Sequence, residues 1–281
     1  SALFGNEVRT RCTITLISRT KSKAAPSKLT TSLMRWNAES RDNLFATLSY
    51  AKIQSDTFIL IPKLGSDIQA SSLAKVLMKK SNLVVDLQDS ISFSTLASSA
   101  PNFPPKSVFV GGTAYNWFPA WRDMPNTTDA NGGPSLPART AGYRFRSEEE
   151  ANVVFALLCS SLGYWWWSVA SDGFNLKKWL IESFPVSSRH FDSAPKKSLA
   201  ALGAKLRVEL KRNYVYKDNR GRIGNFFLPA CSHEILLIDN EIARVLPELS
   251  VEFFADIREH NAIFARSGLS GIGDDENSDD E

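Results

Sequence analysis

Residues 155–185 read FALLCSSLGYWWWSVASDGFNLKKWLIESFP. An apolar run ends in three adjacent tryptophans, Trp165, Trp166 and Trp167, followed by a polar turn from Ser171 to Asn175 and by Lys177 and Lys178. Outward from this stretch, residues 152–171 contain no charge, and Ser147 with Glu150 three positions later has the spacing of a helix-opening capping box. Successive residues on a helix are about 100° apart, so the three indoles face three different neighbours. A helix that is apolar all round belongs inside a globular domain. The run is long enough to cross a bilayer. Ser160, Ser161, Gly163 and Ser168 interrupt it, however, and the tryptophans sit in one block instead of at two interfaces. The reading is one long buried Trp-rich helix and no membrane.

The rest of the composition agrees with a folded chain. With 43% hydrophobic and 22% charged residues, 281 residues suffice for a sizeable core. The net charge is +3, but the last eight residues hold six acids and no base, leaving 33 bases against 24 acids, a formal +9, on residues 1–273. A basic body suits a polyanionic partner such as nucleic acid. Cys12, Cys159 and Cys231 have neither disulfide-framework nor zinc-ligand spacing, which fits a reducing cytoplasm.

Residues 8–17 (VRTRCTITLI) alternate like a strand and 21–28 like a loop; 58–62, 83–87 and 108–110 are short apolar strands. Residues 70–80 carry Leu73, Val76 and Leu77 at helical spacing. Residues 116–139, rich in proline and glycine, are an irregular loop too long for a passive connection. In 192–214, Leu199, Leu202, Leu206 and Leu210 form an apolar helical stripe with Lys197, Lys205, Arg207, Lys211 and Arg212 outside it. Residues 214–227 (YVYKDNRGRIGNFF) form a basic aromatic loop or hairpin, and helices follow at 233–246 and 250–265, the last with Ser250 as its N-cap. The fold class expected is α+β, with a mixed or antiparallel sheet packed against several helices.

Catalytic signatures are missing. Asn102-Phe103-Pro104-Pro105 holds the letters of an amino-methyltransferase loop in another order, and Phe4-Gly5 lacks the second glycine of a cofactor turn. Glu209-Leu210-Lys211, with Asp192 upstream, spells a magnesium nuclease motif on a helical pattern where both residues read as ordinary surface charge. His190, His233 and His260 are isolated, and Asp239, Glu241, Asp256 and Glu259 read as surface carboxylates in contact with Arg244 and Arg258.

The run Leu162-Gly163-Tyr164-Trp165-Trp166-Trp167, then Ser171-Asp172-Gly173-Phe174-Asn175-Leu176, then Phe184-Pro185, resembles the C-terminal target-recognition region of DNA adenine-N6 methyltransferases in type IIG-like restriction-modification systems. Residues 205–216, the segment Ile238 to Leu246 and residues 253–266 are similar in style to the same region. Cys159 stands where the family commonly has Asn, and Asn240 interrupts its usual acidic run.

The resemblance implies a prokaryotic, cytoplasmic DNA-binding region. Residues 1–22 would be the closing strand or strands of a preceding methyltransferase domain, 23–190 the recognition domain, 191–267 a helical subdomain and 268–281 a disordered acidic tail. The sequence is therefore expected to be an excised fragment with no cofactor of its own. S-adenosylmethionine, and Mg2+ if a nuclease is attached, would serve the parent enzyme. The expected partners are double-stranded DNA and the methyltransferase domain of the same polypeptide. On this reading three clusters touch DNA: Arg122, Arg139, Arg144 and Arg146 around the long irregular segment; Asn175, Lys177 and Lys178 after the tryptophans; Lys217, Arg220 and Arg222 in the second basic loop. Cations on phosphates set register and salt dependence, and a few side chains on base edges choose the sequence. Two other readings are a protein-interaction scaffold of a phage-defence complex and a magnesium-dependent nuclease using Glu209 and Lys211.

Overall fold

The computed structural model describes residues 28–34, 45–53, 60–77, 86–90, 106–114, 117–135, 139–187, 193–218 and 221–260, with residues 16, 43, 137, 190 and 191. The expected opening strand other than Leu16, the Asn102 to Pro105 segment, Arg220, Asp192 and the acidic tail lie outside these residues.

At the centre is the uncharged run, folded as two helices, α2 (Glu148–Cys159) and α3 (Ser161–Ala170), bent by 60° at Ser160. The Ser147 hydroxyl accepts from the Glu150 N–H at 3.1 Å and opens α2. Ser160 ends α2 in extended backbone, and its hydroxyl accepts from the Gly163 N–H at 3.3 Å to open α3. Every residue of α3 is buried, as is α2 from Glu150 onward. Among the described residues no single helix is long and apolar enough to cross a membrane.

The bend is held by Asp239, whose fully buried carboxylate accepts from the Ser161 N–H at 3.0 Å and its hydroxyl at 2.6 Å. An anion at a helix N-terminus satisfies orphan donors and meets the positive end of the helix dipole. Asp239 is therefore no surface charge, contrary to the sequence expectation, although its contact with Arg258 is made at 2.8 Å. Burial pushes its pKa up to about 6 against the pull of Ser161 and Arg258. Glu241 pairs with Arg244 at 2.6 Å, as its spacing suggests.

Each indole N–H finds its acceptor on a different element. Trp165 donates to Gln69 Oε1 (3.0 Å), on helix α1 (Asp67–Leu77). Trp166 donates to the Leu180 carbonyl (2.8 Å), on the short helix α4 (Lys178–Glu182). Trp167 donates to the Asn175 carbonyl (3.4 Å). All three rings are fully buried.

Around this centre lie antiparallel sheets, so the fold is α+β. Strands β1 (Leu29–Thr31) and β2 (Tyr50–Lys52) pair with each other. A four-stranded sheet runs in the order β3 (Gln88–Ser90), β8 (Ala141–Phe145), β4 (Ser107–Val110), β5 (Ala120–Trp121). The second runs β7 (Pro134–Ser135), β6 (Thr127–Thr128), β10 (Arg222–Phe226), β9 (Tyr214–Asp218). Residues 116–139, expected to be irregular throughout, thus contribute β5, β6 and β7, and within 214–227 strands β9 and β10 pair antiparallel. At 60–62 the expected strand is not formed; Pro62 instead accepts from the Thr30 hydroxyl at 2.7 Å, and the Lys63 N–H reaches the Val169 carbonyl at 3.1 Å. The segment is tied to its neighbours by side chain and cap, and no strand ladder reaches it.

The leucine stripe forms α5 (Ser193–Arg212), which packs against α2 with Leu199, Leu206 and Leu210 buried. The two backbones approach closely at Gly203, where a Cβ would overlap the Asn152 carbonyl oxygen. Helices α6 (Ser232–Val245) and α7 (Val251–His260) close the bundle, with Ser250 Oγ accepting from the Phe253 N–H at 3.4 Å. One hydrophobic core extends from Ala51 to Ile257 and crosses residue 190 without interruption.

Candidate nucleic-acid interface

The Ser171 to Asn175 segment leaves the end of α3 and is shaped by its own side chains. Asp172 Oδ1 accepts from the Phe174 N–H at 3.0 Å and the Asn175 N–H at 2.7 Å, while Oδ2 accepts from Asn175 Nδ2 at 2.8 Å. This is the local hydrogen bonding that makes aspartate a turn former. Partial burial raises the Asp172 pKa, but the Asn175 and Phe174 bonds and the nearby Lys177 outweigh it and hold the carboxyl below its ordinary value.

The turn is fastened to the strand end of the first four-stranded sheet. The Ala114 N–H reaches the Phe174 carbonyl and the Leu176 N–H the Gly112 carbonyl, both at 2.9 Å. Here two of the clusters selected from sequence meet, because Arg139 Nη1 donates to Asn175 Oδ1 at 3.3 Å. Arg139 is exposed and adopts a left-handed backbone conformation, φ 56°. Its backbone packs so close to Gly112 that a Cβ there would overlap the Arg139 Cβ. Lys177 lies 3.8 Å from Asp172 and is more than half exposed; Lys178 pairs with Glu182 at 3.3 Å along α4.

Arg144 and Arg146 are exposed on and just beyond β8. Arg144 interrupts an otherwise buried strand, so its side chain leaves the core face. In the second sheet, Lys217 is half-buried and Arg222 exposed, on the paired strands β9 and β10. The Arg222 guanidinium stacks over the Tyr216 ring, 3.9 Å from its centroid. Arg220 lies outside the described residues.

Arg122 is corrected by its surroundings. Its side chain is fully buried, donating to Asn152 Oδ1 at 2.7 Å and lying 3.6 Å from Glu148. Burial, then the neighbouring Arg207, pulls its pKa down to about 10, with Glu148 and Asp123 opposing. An arginine so enclosed joins the β5 end to α2 and has no route to a phosphate. Beside it, Arg207 grips Asp123 through two bonds of 2.6 Å, and Lys211 reaches the same carboxylate at 3.2 Å. Glu209 pairs with Arg212 at 2.9 Å. The two residues of the nuclease reading are thus engaged in ion pairs of α5. Among the described residues no group of three or more His, Cys, Asp or Glu side chains is placed to hold a metal.

Three residues were not anticipated. Lys106, exposed, donates to the Arg146 carbonyl at 2.9 Å and adds a cation beside that arginine. Lys63 donates to the Ser171 carbonyl beside Asp172, its pKa lowered by burial and raised in part by that carboxylate. Neither is near its neighbour in sequence. Tyr216 had a legible signal: in a hairpin with Asp218 opposite Arg222, position 216 is the diagonal neighbour of Arg222.

Comparison with protein-family models, with curated proteins and with solved structures finds no match to this chain.

Proposed function

We propose that this chain binds double-stranded DNA and selects its sequence, as the target-recognition region of a DNA adenine-N6 methyltransferase. The observation that carries the reading is the junction of Arg139 with Asn175: one residue from each of two clusters far apart in sequence meets at one hydrogen-bonded turn, with Lys177 beside it. Exposed Arg144, Arg146 and Arg222, with half-buried Lys217, supply further positive charge on or beside two sheets. Such cations neutralise phosphates and release counterions, which fixes register on the duplex without reading its sequence. In this reading the methyl-transfer chemistry, S-adenosylmethionine and any Mg2+ belong to the rest of the parent enzyme, and these residues choose where it acts.

The test is retention of short random-sequence duplexes at low salt, followed by selection of the tightest binders from the pool. Retention with an enriched motif supports the reading. Absence of retention at low salt removes it and leaves the interaction scaffold as the better account.

A further inference from the structure

We infer that Arg139 is the specificity-determining side chain of this surface, reading a guanine base, with Asn175 and Asp172 as its positioning residues. The inference rests on the duplex-binding reading above and names how that surface would choose a sequence.

The backbone gives the first reason. At φ 56°, Arg139 is the non-glycine residue with positive φ among the described residues. This region disfavours any side chain with a Cβ and is the ordinary place for glycine. An arginine there points to a use for its side chain, since such strain gathers at functional positions. The surrounding chain is fitted to it: Gly112 leaves the space that the Arg139 Cβ occupies, and two backbone bonds join residues 112–114 to 174–176.

The second reason is how the guanidinium is held. Asp172 only accepts hydrogen bonds, so the Asn175 amide turns Nδ2 towards it and Oδ1 towards Arg139, which only donates. Asn175 is itself anchored to the core by Trp167, and Asp172 is fixed by two backbone N–H groups. This chain of bonds limits the directions the exposed guanidinium takes. A planar fork restrained in this way matches O6 and N7 of guanine in the major groove, the commonest specific arginine contact. A phosphate grip has no need of such positioning.

The experiment uses the full chain. The wild type is first used to select sites from a random duplex pool; R139A, R139G, R139K and N175A are then measured on the selected site and on versions with each guanine replaced. The expected result is a loss of about 5- to 150-fold in affinity for the selected site in R139A and R139G. Preference should vanish at one guanine position and persist elsewhere, R139K should fail to restore it, and N175A should weaken it at that same position. R139G suits the local backbone, so an unchanged or higher melting temperature separates lost recognition from lost fold. Equal weakening on every sequence with recovery in R139K would make Arg139 a phosphate contact and overturn the inference, as would unchanged guanine preference in R139G. Those outcomes leave duplex binding intact. A wild type that retains no duplex overturns the functional reading itself, and the inference with it.

Discussion

Asp239 and Ser161, 78 residues apart, are joined by two hydrogen bonds, of 3.0 and 2.6 Å, that close the N-terminus of the tryptophan-bearing helix. The same carboxylate meets Arg258 at 2.8 Å, so one buried acid links α3, α6 and α7. Replacing it by alanine orphans both the Ser161 donors and a partly buried arginine. D239A is predicted to cost about 3 to 5 kcal/mol in chemical denaturation. A cost below about 1 kcal/mol would mean that the bend is held by other contacts.

Asp239 also predicts a direction of pH dependence. Its folded pKa, about 6, lies above the ordinary 3.8 because burial disfavours the charge. A raised pKa favours the protonated folded form. The associated stability is complete below the ordinary value and is lost as pH rises through about 6. The stability of the wild type relative to D239N should therefore fall between pH 4 and pH 7, by on the order of 1 to 3 kcal/mol. A flat or rising difference would contradict the assignment.

Gly203 reverses a usual rule. Gly to Ala inside a helix ordinarily stabilises by about 1 kcal/mol. Here the added Cβ overlaps the Asn152 carbonyl of α2, so G203A is predicted to destabilise by about 1 to 3 kcal/mol. Thermal melting decides the sign.

Arg122 and the exposed arginines should separate cleanly. R122A removes a buried, hydrogen-bonded charge from beside Asn152 and Glu148 and should lower stability by about 3 kcal/mol. R144A and R146A should change stability by under about 0.5 kcal/mol. If these arginines meet phosphates, each substitution reduces the salt slope of duplex binding by about one. Equal stability losses in all three variants would contradict the distinction.

The conformation of Arg139 has its own stability signature. With φ at 56°, R139G should be more stable than R139A by about 1 kcal/mol, the reverse of their order in a regular strand or helix. Equal stability would show that the left-handed conformation carries no strain.

What the sequence made legible was local. Ser147 and Ser250 act as caps through bonds to residues three positions on, and the Leu199, Leu206 and Leu210 stripe is buried as its spacing requires. The glycine-containing basic segment 214–227, read as a loop or a hairpin, supplies the antiparallel pair β9 and β10. The break at Ser160 was hidden, because neither proline nor charge marks it and the group that holds it is on another helix. Arg122 looked like its exposed neighbours, since its burial depends on Asn152 arriving from α2. The meeting of Arg139 with Asn175 was equally invisible, because antiparallel pairing and the end of α3 bring the two loops together.

The central claim is tested most directly by a salt titration of binding to a random-sequence duplex. Seven of the selected cations fall among the described residues without being buried: Arg139, Arg144, Arg146, Lys177, Lys178, Lys217 and Arg222. If about four to six of those other than Arg139 meet phosphates, log K should fall linearly with log salt concentration, with a slope of about −4 to −5. No retention at low salt, or retention that salt leaves unchanged, would contradict the account.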